Sequence, residues 1–221
     1  MRNFIHTLQE YSQLNEQIEN VELYHGSNVK FSAFDNTLIS SGDGSDLFGK
    51  GYYFTDNKNV ADFYAHLRSK KDRIMKYDNS GIFGTEVPIY HKDADEYASV
   101  NKVVNTFTIR GNILNSEEFI IDDKFEKYIK DSYVKHTGLT DEYAVLFFNT
   151  LRNRKHDIHN FRGELEYIIK RIGRVDIEIT KDIINYIRRL GYDGLKYRAD
   201  KNFEGNENSW NYVIYNRNVI H

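Results

Sequence analysis

The stretch that decides how this chain is read is DLFGKGYYFTDNKNVADFYA, residues 46–65. Gly49 and Gly51 flank a lysine, and Tyr52, Tyr53 and Phe54 follow at once. Thr55 or Asp56 can then cap a helix, because a side-chain oxygen there accepts from one of the first unpaired backbone N–H groups. Behind the cap, Val60, Phe63, Tyr64 and Leu67 stand at helical spacing and predict one apolar stripe. The stretch thus reads as a glycine-rich approach, a short aromatic segment and a capped helix carrying a further tyrosine. Upstream, residues 36–51 are rich in Asn, Ser, Asp and Gly and read as a long loop. Loops of that length in a compact domain are usually functional or disordered.

Outward from this stretch, VELY at 21–24 predicts a short strand running into His25, Gly26 and Ser27. Before it, Phe4, Ile5, Leu8, Tyr11, Leu14 and Ile18 have helical spacing and predict an amphipathic helix over 1–20. VNTFTIRGNIL at 104–114 reads as a strand and its exit. The middle of the chain is mostly helical, with starts expected at Ser116, Thr140 and Arg162 and apolar periodicity behind each. A further helix is expected over about 181–190, capped by Thr180 and ended by Gly191. Tyr192 to Gly194 form a turn after it, and NYVIYN at 211–216 closes the chain as a strand. No internal repeat is present. Strands at both ends with helices between predict an α+β fold rather than alternating βαβ units. The expected organisation is a single domain, 1–221, with a helical insertion over about 117–174.

Composition excludes several function classes. With 17 Tyr and 14 Phe in 221 residues a real core is available, and with one proline no linker is evident. No cysteine is present, so disulfides, thiolate nucleophiles and cysteine-built zinc sites are ruled out. The first residues, MRNFIHTLQEYSQ, lack the apolar run of a signal peptide, and YAVLFF at 143–148 is far too short to cross a bilayer. A soluble, cytoplasmic protein with no membrane partner is expected. Net charge is −3, but RSKKDRIMK at 68–76 and RNRKHDIHNFR at 152–162 are locally basic. Such runs are more often solvated helix ends than nucleic-acid contacts. No phosphate-loop fingerprint and no metal-ligand spacing occurs, so no metal is expected and chemistry must come from side chains gathered across sequence distance.

ELYHGS, LFGKGYYFTDNKNVADFYA and GYDGLKYR…NYVIYN together resemble the ADP-ribosyltransferase superfamily. Within it they resemble the branch of poly(ADP-ribose) polymerases and diphtheria toxin, with its His-Tyr-Glu constellation, and above all the bacterial and phage polyvalent-protein type. The likeness covers about 21–65 and 191–216, roughly a third of the chain, and the middle matches no motif. It implies two small antiparallel sheets pinching an NAD+ cleft. It also implies that His25 holds the adenosine ribose 2′-hydroxyl, that the Gly26 backbone binds the nicotinamide carboxamide, and that Ser27 places a hydroxyl nearby. Tyr53 would stack on nicotinamide, with Gly51 letting the backbone come close, and Tyr64, eleven residues on, would close the other face of the ring.

The chemistry asks for such a site. Cleaving the bond between nicotinamide and ribose develops positive charge at the anomeric carbon, as in glycoside hydrolysis. A flat aromatic slot must take the leaving ring, a polar anchor the sugars, and a carboxylate the forming cation. Neutral histidine suits a ribose hydroxyl, since one ring nitrogen donates while the other accepts. The departure is at Asn211, where the best-known members carry glutamate before the last strand. Asparagine can hydrogen-bond a ribose hydroxyl but brings no charge. Glu207 can supply the carboxylate from the preceding loop with Asn211 assisting, which is the arrangement preferred here. Alternatively, asparagine is native to this branch, or the site is inactive. The implied function is transfer of one ADP-ribose from NAD+ to a macromolecule, nucleic acid before protein, as a toxin or anti-phage effector with an antitoxin protein as a candidate partner. The rivals are a degenerate NAD-binding module and an NAD+ glycohydrolase.

Overall fold

The computed structural model describes residues 16–34, 48–79, 87–153, 164–173, 177–199 and 208–221. In chain order these form β1 (Glu16–Ser27), β2 (Tyr52–Thr55), α1 (Lys58–Asn79), α2 (Val87–Asn101), β3 (Val103–Asn115), α3 (Asp123–Thr137), α4 (Asp141–Asn153), α5 (Glu164–Gly173), α6 (Ile177–Arg189), β4 (Gly194–Arg198) and β5 (Trp210–Ile214). The mixture of one sheet and six described helices agrees with the α+β expectation.

The sheet differs from the expected pair of separate sheets. Its strands run β1-β2-β5-β4-β3 and close into a barrel. Two antiparallel groups are recognisable: β1 with β3, paired from Ser27↔Val103 to Glu16↔Ile113, and β2 with β5 and β4. They join along two narrow seams. β1 meets β2 at the single registered pair Tyr24↔Thr55, and β3 meets β4 in parallel from Ile113↔Gly194 to Asn115↔Lys196. The length of β1 explains the closure. Its ladder with β3 is irregular between Ile18 and Val21, and such a bulge bends and twists a strand enough to bring its far end onto a second partner.

Pleating then sorts the side chains. Leu23, Tyr52, Phe54, Phe107, Ile109, Tyr212 and Ile214 fill the interior of the closed sheet. The other face carries Leu195 and Val213 into a second core, where α3 to α6 contribute Phe125, Phe148, Ile168 and Ile183.

Several local expectations change. Residues 16–20 lie in β1, where the β3 ladder outweighs any helical spacing; the rest of the expected N-terminal helix lies outside the described residues, as do residues 36–47 of the expected loop. The buried face of α1 is not the large stripe. Val60, Ala61, Ala65 and Ser69 are buried, while Phe63, Tyr64 and Leu67 are exposed. The helix comes so close to β1 that a Cβ on Gly26 would lie 2.1 Å from the Ala61 carbonyl oxygen, so only small residues fit the contact. The cap of α1 is Asn57, whose Oδ1 accepts from the Asn59 N–H at 2.9 Å. Thr55 and Asp56 instead tie the strand end, each bonding the Trp210 backbone.

α3 starts at Asp123 rather than Ser116, because Asn115 holds a turn by accepting from the Glu117 N–H and donating to Glu118, and Asp122 caps the helix. α4 begins where Thr140 predicts. α6 begins at Ile177, so Thr180 is a buried residue inside the helix rather than its cap. The stripe Ile179, Ile183 and Ile187 carries the helical period upstream of the expected start. Gly191, at φ 92°, ends it.

Candidate functional site

The seam between β1 and β2 is where the first expected residue lies. Beyond the pair Tyr24↔Thr55 the strands no longer register with one another, and the His25 ring bridges them: Nδ1 lies 2.7 Å from the Tyr53 carbonyl oxygen. A carbonyl can only accept, so Nδ1 carries the hydrogen and Nε2 is left as an acceptor. The ring meets Phe31, Phe34 and Phe54 edge-on, with centroids 5.6, 5.1 and 6.0 Å away. Burial pushes the imidazole pKa down, and the bond to Tyr53 offsets part of this, so His25 is neutral at pH 7.

Gly26 follows on β1, and its lack of a side chain is demanded by α1, as described above. Ser27 is buried, and its Oγ accepts from the Val29 N–H at 3.2 Å within a local turn. Gly51 is also sterically required: a Cβ there would stand 2.7 Å from Val213 Cγ2 and 3.0 Å from the Ile214 carbonyl oxygen.

The outer face of β2, β5 and β4 gathers the tyrosines. The Tyr53 hydroxyl donates to the Gly49 carbonyl at 2.7 Å, and the Tyr215 hydroxyl to the Phe48 carbonyl at 3.0 Å. Phe48 in turn stacks on Tyr197, with centroids 3.9 Å apart and planes at 17°. Burial first, then the neighbouring Tyr53, Tyr64 and Glu166, push the Tyr197 hydroxyl far up; Tyr215 is raised by burial, Tyr53 and Tyr197. Tyr64 therefore borders the cluster from α1 while remaining 43% exposed. Asn211 lies across the ladder from Thr55 on one side and Tyr197 on the other. The arrangement brings Tyr53, Asn211 and Tyr197 onto one face with Tyr64 at its border, and links His25 to them through the Tyr53 backbone. Glu207 lies outside the described residues.

Two nearby carboxylates, Asp56 and Glu117, are committed elsewhere. Asp56 Oδ1 accepts from the Trp210 N–H at 2.9 Å, and burial raises its pKa. Glu117 holds Arg198, whose guanidinium lies 3.7 Å over the Trp210 ring. Glu166, on α5, is only 2% exposed.

Tyr197 and Tyr215, which lie beside Tyr53 on the same face, were not legible beforehand. Recognising GLKYR as a strand would have placed Leu195 and Tyr197 on one face. Within the basic run 68–76, Lys70 is ion-paired with Asp95 of α2 at 2.8 Å, a structural use of that charge. Residues 154–162 of the second run lie outside the described residues. Among the described residues there is no group of three or more His, Asp or Glu that could hold a metal ion, and no helix is long and apolar enough to cross a membrane. An open depression lined by Asn185, Arg188 and Arg189 at the end of α6 contains none of the expected site residues.

No family model matches the chain, and no solved structure matches it. A curated protein of Candida glabrata, described as the negative regulator of PDR1-mediated fluconazole resistance JJJ1, is 33% identical over 102 residues. That match spans 46% of this chain and 15% of the fungal protein.

Proposed function

We propose that the chain is an NAD+-dependent ADP-ribosyltransferase that moves one ADP-ribose to a macromolecular acceptor. The observation that carries this reading is the bond from His25 Nδ1 to the Tyr53 carbonyl. It presents a neutral imidazole, acceptor nitrogen available by tautomer, on the strand seam beside a tyrosine-lined face. In the reaction the bond between the ribose anomeric carbon and the nicotinamide nitrogen breaks, and its electron pair leaves with nicotinamide. The acceptor's lone pair forms the new bond to the anomeric carbon, and the acceptor's proton is released.

His25 Nε2 accepts from a ribose hydroxyl of the adenosine half. Tyr53 and Tyr64 flank the nicotinamide ring, where two aromatic faces stabilise a flat, charged heterocycle. Asn211 hydrogen-bonds the ribose next to the breaking bond. A toxin or anti-phage effector role is the context the sequence likeness supports, with NAD+ as substrate. The acceptor is nucleic acid or protein; a nucleic-acid acceptor requires binding that weakens steeply with salt.

Asn211 also favours a second reading, a module that binds NAD+ without turning it over. One assay separates the two. NAD+ labelled on its adenylate phosphate is incubated with the protein and with RNA, DNA or cellular protein in separate tubes. Transfer predicts label in one macromolecular fraction, and its loss in Tyr53→Ala and His25→Ala. NAD+ left intact in every tube sinks the enzyme reading in favour of the binding module. Free ADP-ribose without attachment identifies a glycohydrolase.

A further inference from the structure

His25 does not hold its orientation alone. It and Asn105 are registered partners on β1 and β3, near where β1 ends at Ser27 and β3 begins at Val103. Side chains directly opposite each other in an antiparallel pair stand on the same side of it. The next pair on that side, Leu23↔Phe107, belongs to the buried interior, so His25 and Asn105 form the last layer at the mouth of the barrel. Asn105 is only 4% exposed, and both ends of its amide are committed to one segment. Its Oδ1 accepts from the Phe31 N–H at 3.0 Å, and its Nδ2 donates to the Val29 carbonyl at 3.1 Å. These two bonds fold the chain that follows β1 back over the mouth. Phe34 there lies 4.9 Å from Phe107 and 4.8 Å from Tyr52, and both Phe31 and Phe34 stand edge-on to the imidazole.

We propose that Asn105 is a positioning residue for His25, clamping residues 28–34 across the barrel mouth so that the imidazole keeps one orientation and one tautomer toward NAD+. The inference rests on the transferase reading given above, and the mouths of barrels are common places for small ligands. An imidazole near a strand end is free to swivel about its side-chain bonds, and water competes with it for the Tyr53 carbonyl. Rings packed on its edges remove both freedoms. They leave Nδ1 with that carbonyl as its acceptor and Nε2 as the acceptor for a ribose hydroxyl. Asparagine suits the clamp because one side chain serves a backbone donor and a backbone acceptor at once. The rings and the carbonyl around the imidazole carry no charge, so uncovering it readmits water without removing a partner ion. The lowered pKa of His25, whose first cause is burial, agrees with this cover.

The test follows the His25 side chain by NMR titration, and nicotinamide release from NAD+, in the wild-type chain, Asn105→Ala and Phe31→Ala, with thermal unfolding in parallel. Asn105→Ala should move the His25 pKa up toward its ordinary value of 6.5. It should also give a mixture of both neutral tautomers where the wild type shows Nδ1–H alone. KM for NAD+ should rise by up to about tenfold, the scale of one hydrogen bond. The ribose contact is made in ground and transition states alike, so kcat should stay within about twofold. Phe31→Ala keeps both Asn105 bonds, which go to backbone atoms, and removes one covering ring. It should shift the same pKa in the same direction, and it decides the matter if Asn105→Ala fails to fold. A folded Asn105→Ala with the wild-type His25 pKa and tautomer, or with a shifted His25 and an unchanged KM, overturns the inference while the transferase reading stands. A wild-type chain that leaves NAD+ intact overturns the transferase reading and this inference with it.

Discussion

Tyr52 and Tyr53 are adjacent on β2, yet the pleat sends them into different chemistry. Tyr52 points inward with Phe54 and, from β5, Tyr212 and Ile214, all nearly fully buried. Rings meet rings there: Phe34 lies 4.8 Å from Tyr52, and Phe54 5.7 Å from Phe107. Tyr53 points outward with Asn211 and Val213 alongside, and what fixes it is a hydroxyl bonded to a backbone carbonyl. The inner face packs ring on ring, while the outer face packs Leu195 and Val213 into the helical core and also ties the Tyr53 and Tyr215 hydroxyls to backbone carbonyls. The same residue type is therefore placed by ring contacts on one side of a strand and by a hydroxyl-to-carbonyl bond on the other.

Substitutions can break or sharpen this contrast. Phe54→Ala should be the most damaging, at about 3–5 kcal/mol, because it opens a cavity in a sealed aromatic core. Urea unfolding monitored by tyrosine fluorescence measures it. Tyr53→Phe keeps the ring and removes the hydroxyl's bond to Gly49, so about 1 kcal/mol is expected in the same experiment. A Tyr53→Phe loss as large as that of Phe54→Ala would erase the distinction between the faces.

The seam between them gives a pH effect. Burial holds the folded His25 imidazole below its ordinary value of 6.5, so in that interval the unfolded chain binds more protons. The corresponding stability is fully present above about pH 6.5 and is lost as pH falls from there through the folded value. Wild type should lose more stability than His25→Gln on acidification, and parallel curves for the two would refute the buried neutral imidazole. The smallest effect belongs to the half-buried Lys70–Asp95 pair between α1 and α2. Lys70→Ala should barely move the urea midpoint, and less still in high salt.

How much of this could be read beforehand varied with the physical signal. β5, α4 and the end of α6 were legible because an alternating aliphatic run, a cap with periodicity behind it, and a glycine after the last turn are local cues. α2 was not, since its described buried residues are Ala94 and Ala98, which carry little hydrophobic signal. β4 was hidden because five residues after a Tyr-Asp-Gly turn offer too few alternations. The large stripe of α1 misled, for Gly26 on a distant strand selects which helix face is buried. In the candidate site, the string around Tyr53 and the offset to Tyr64 were visible, as was the departure at Asn211. The tyrosines beside it depend on register across β5 and β4, and no local pattern encodes register between segments so far apart.

The close approach at Gly26 has a reach beyond packing. Its absent methyl sets how near the axis of α1 lies to β1, and Ala65, whose backbone nitrogen would stand 2.6 Å from such a methyl, directly follows Tyr64. Gly26 therefore works as a spacer gauge. Any side chain there pushes α1 outward and carries Tyr64 away from the strand bearing Tyr53. The spacing between α1 and the sheet is thus calibrated by one missing methyl group.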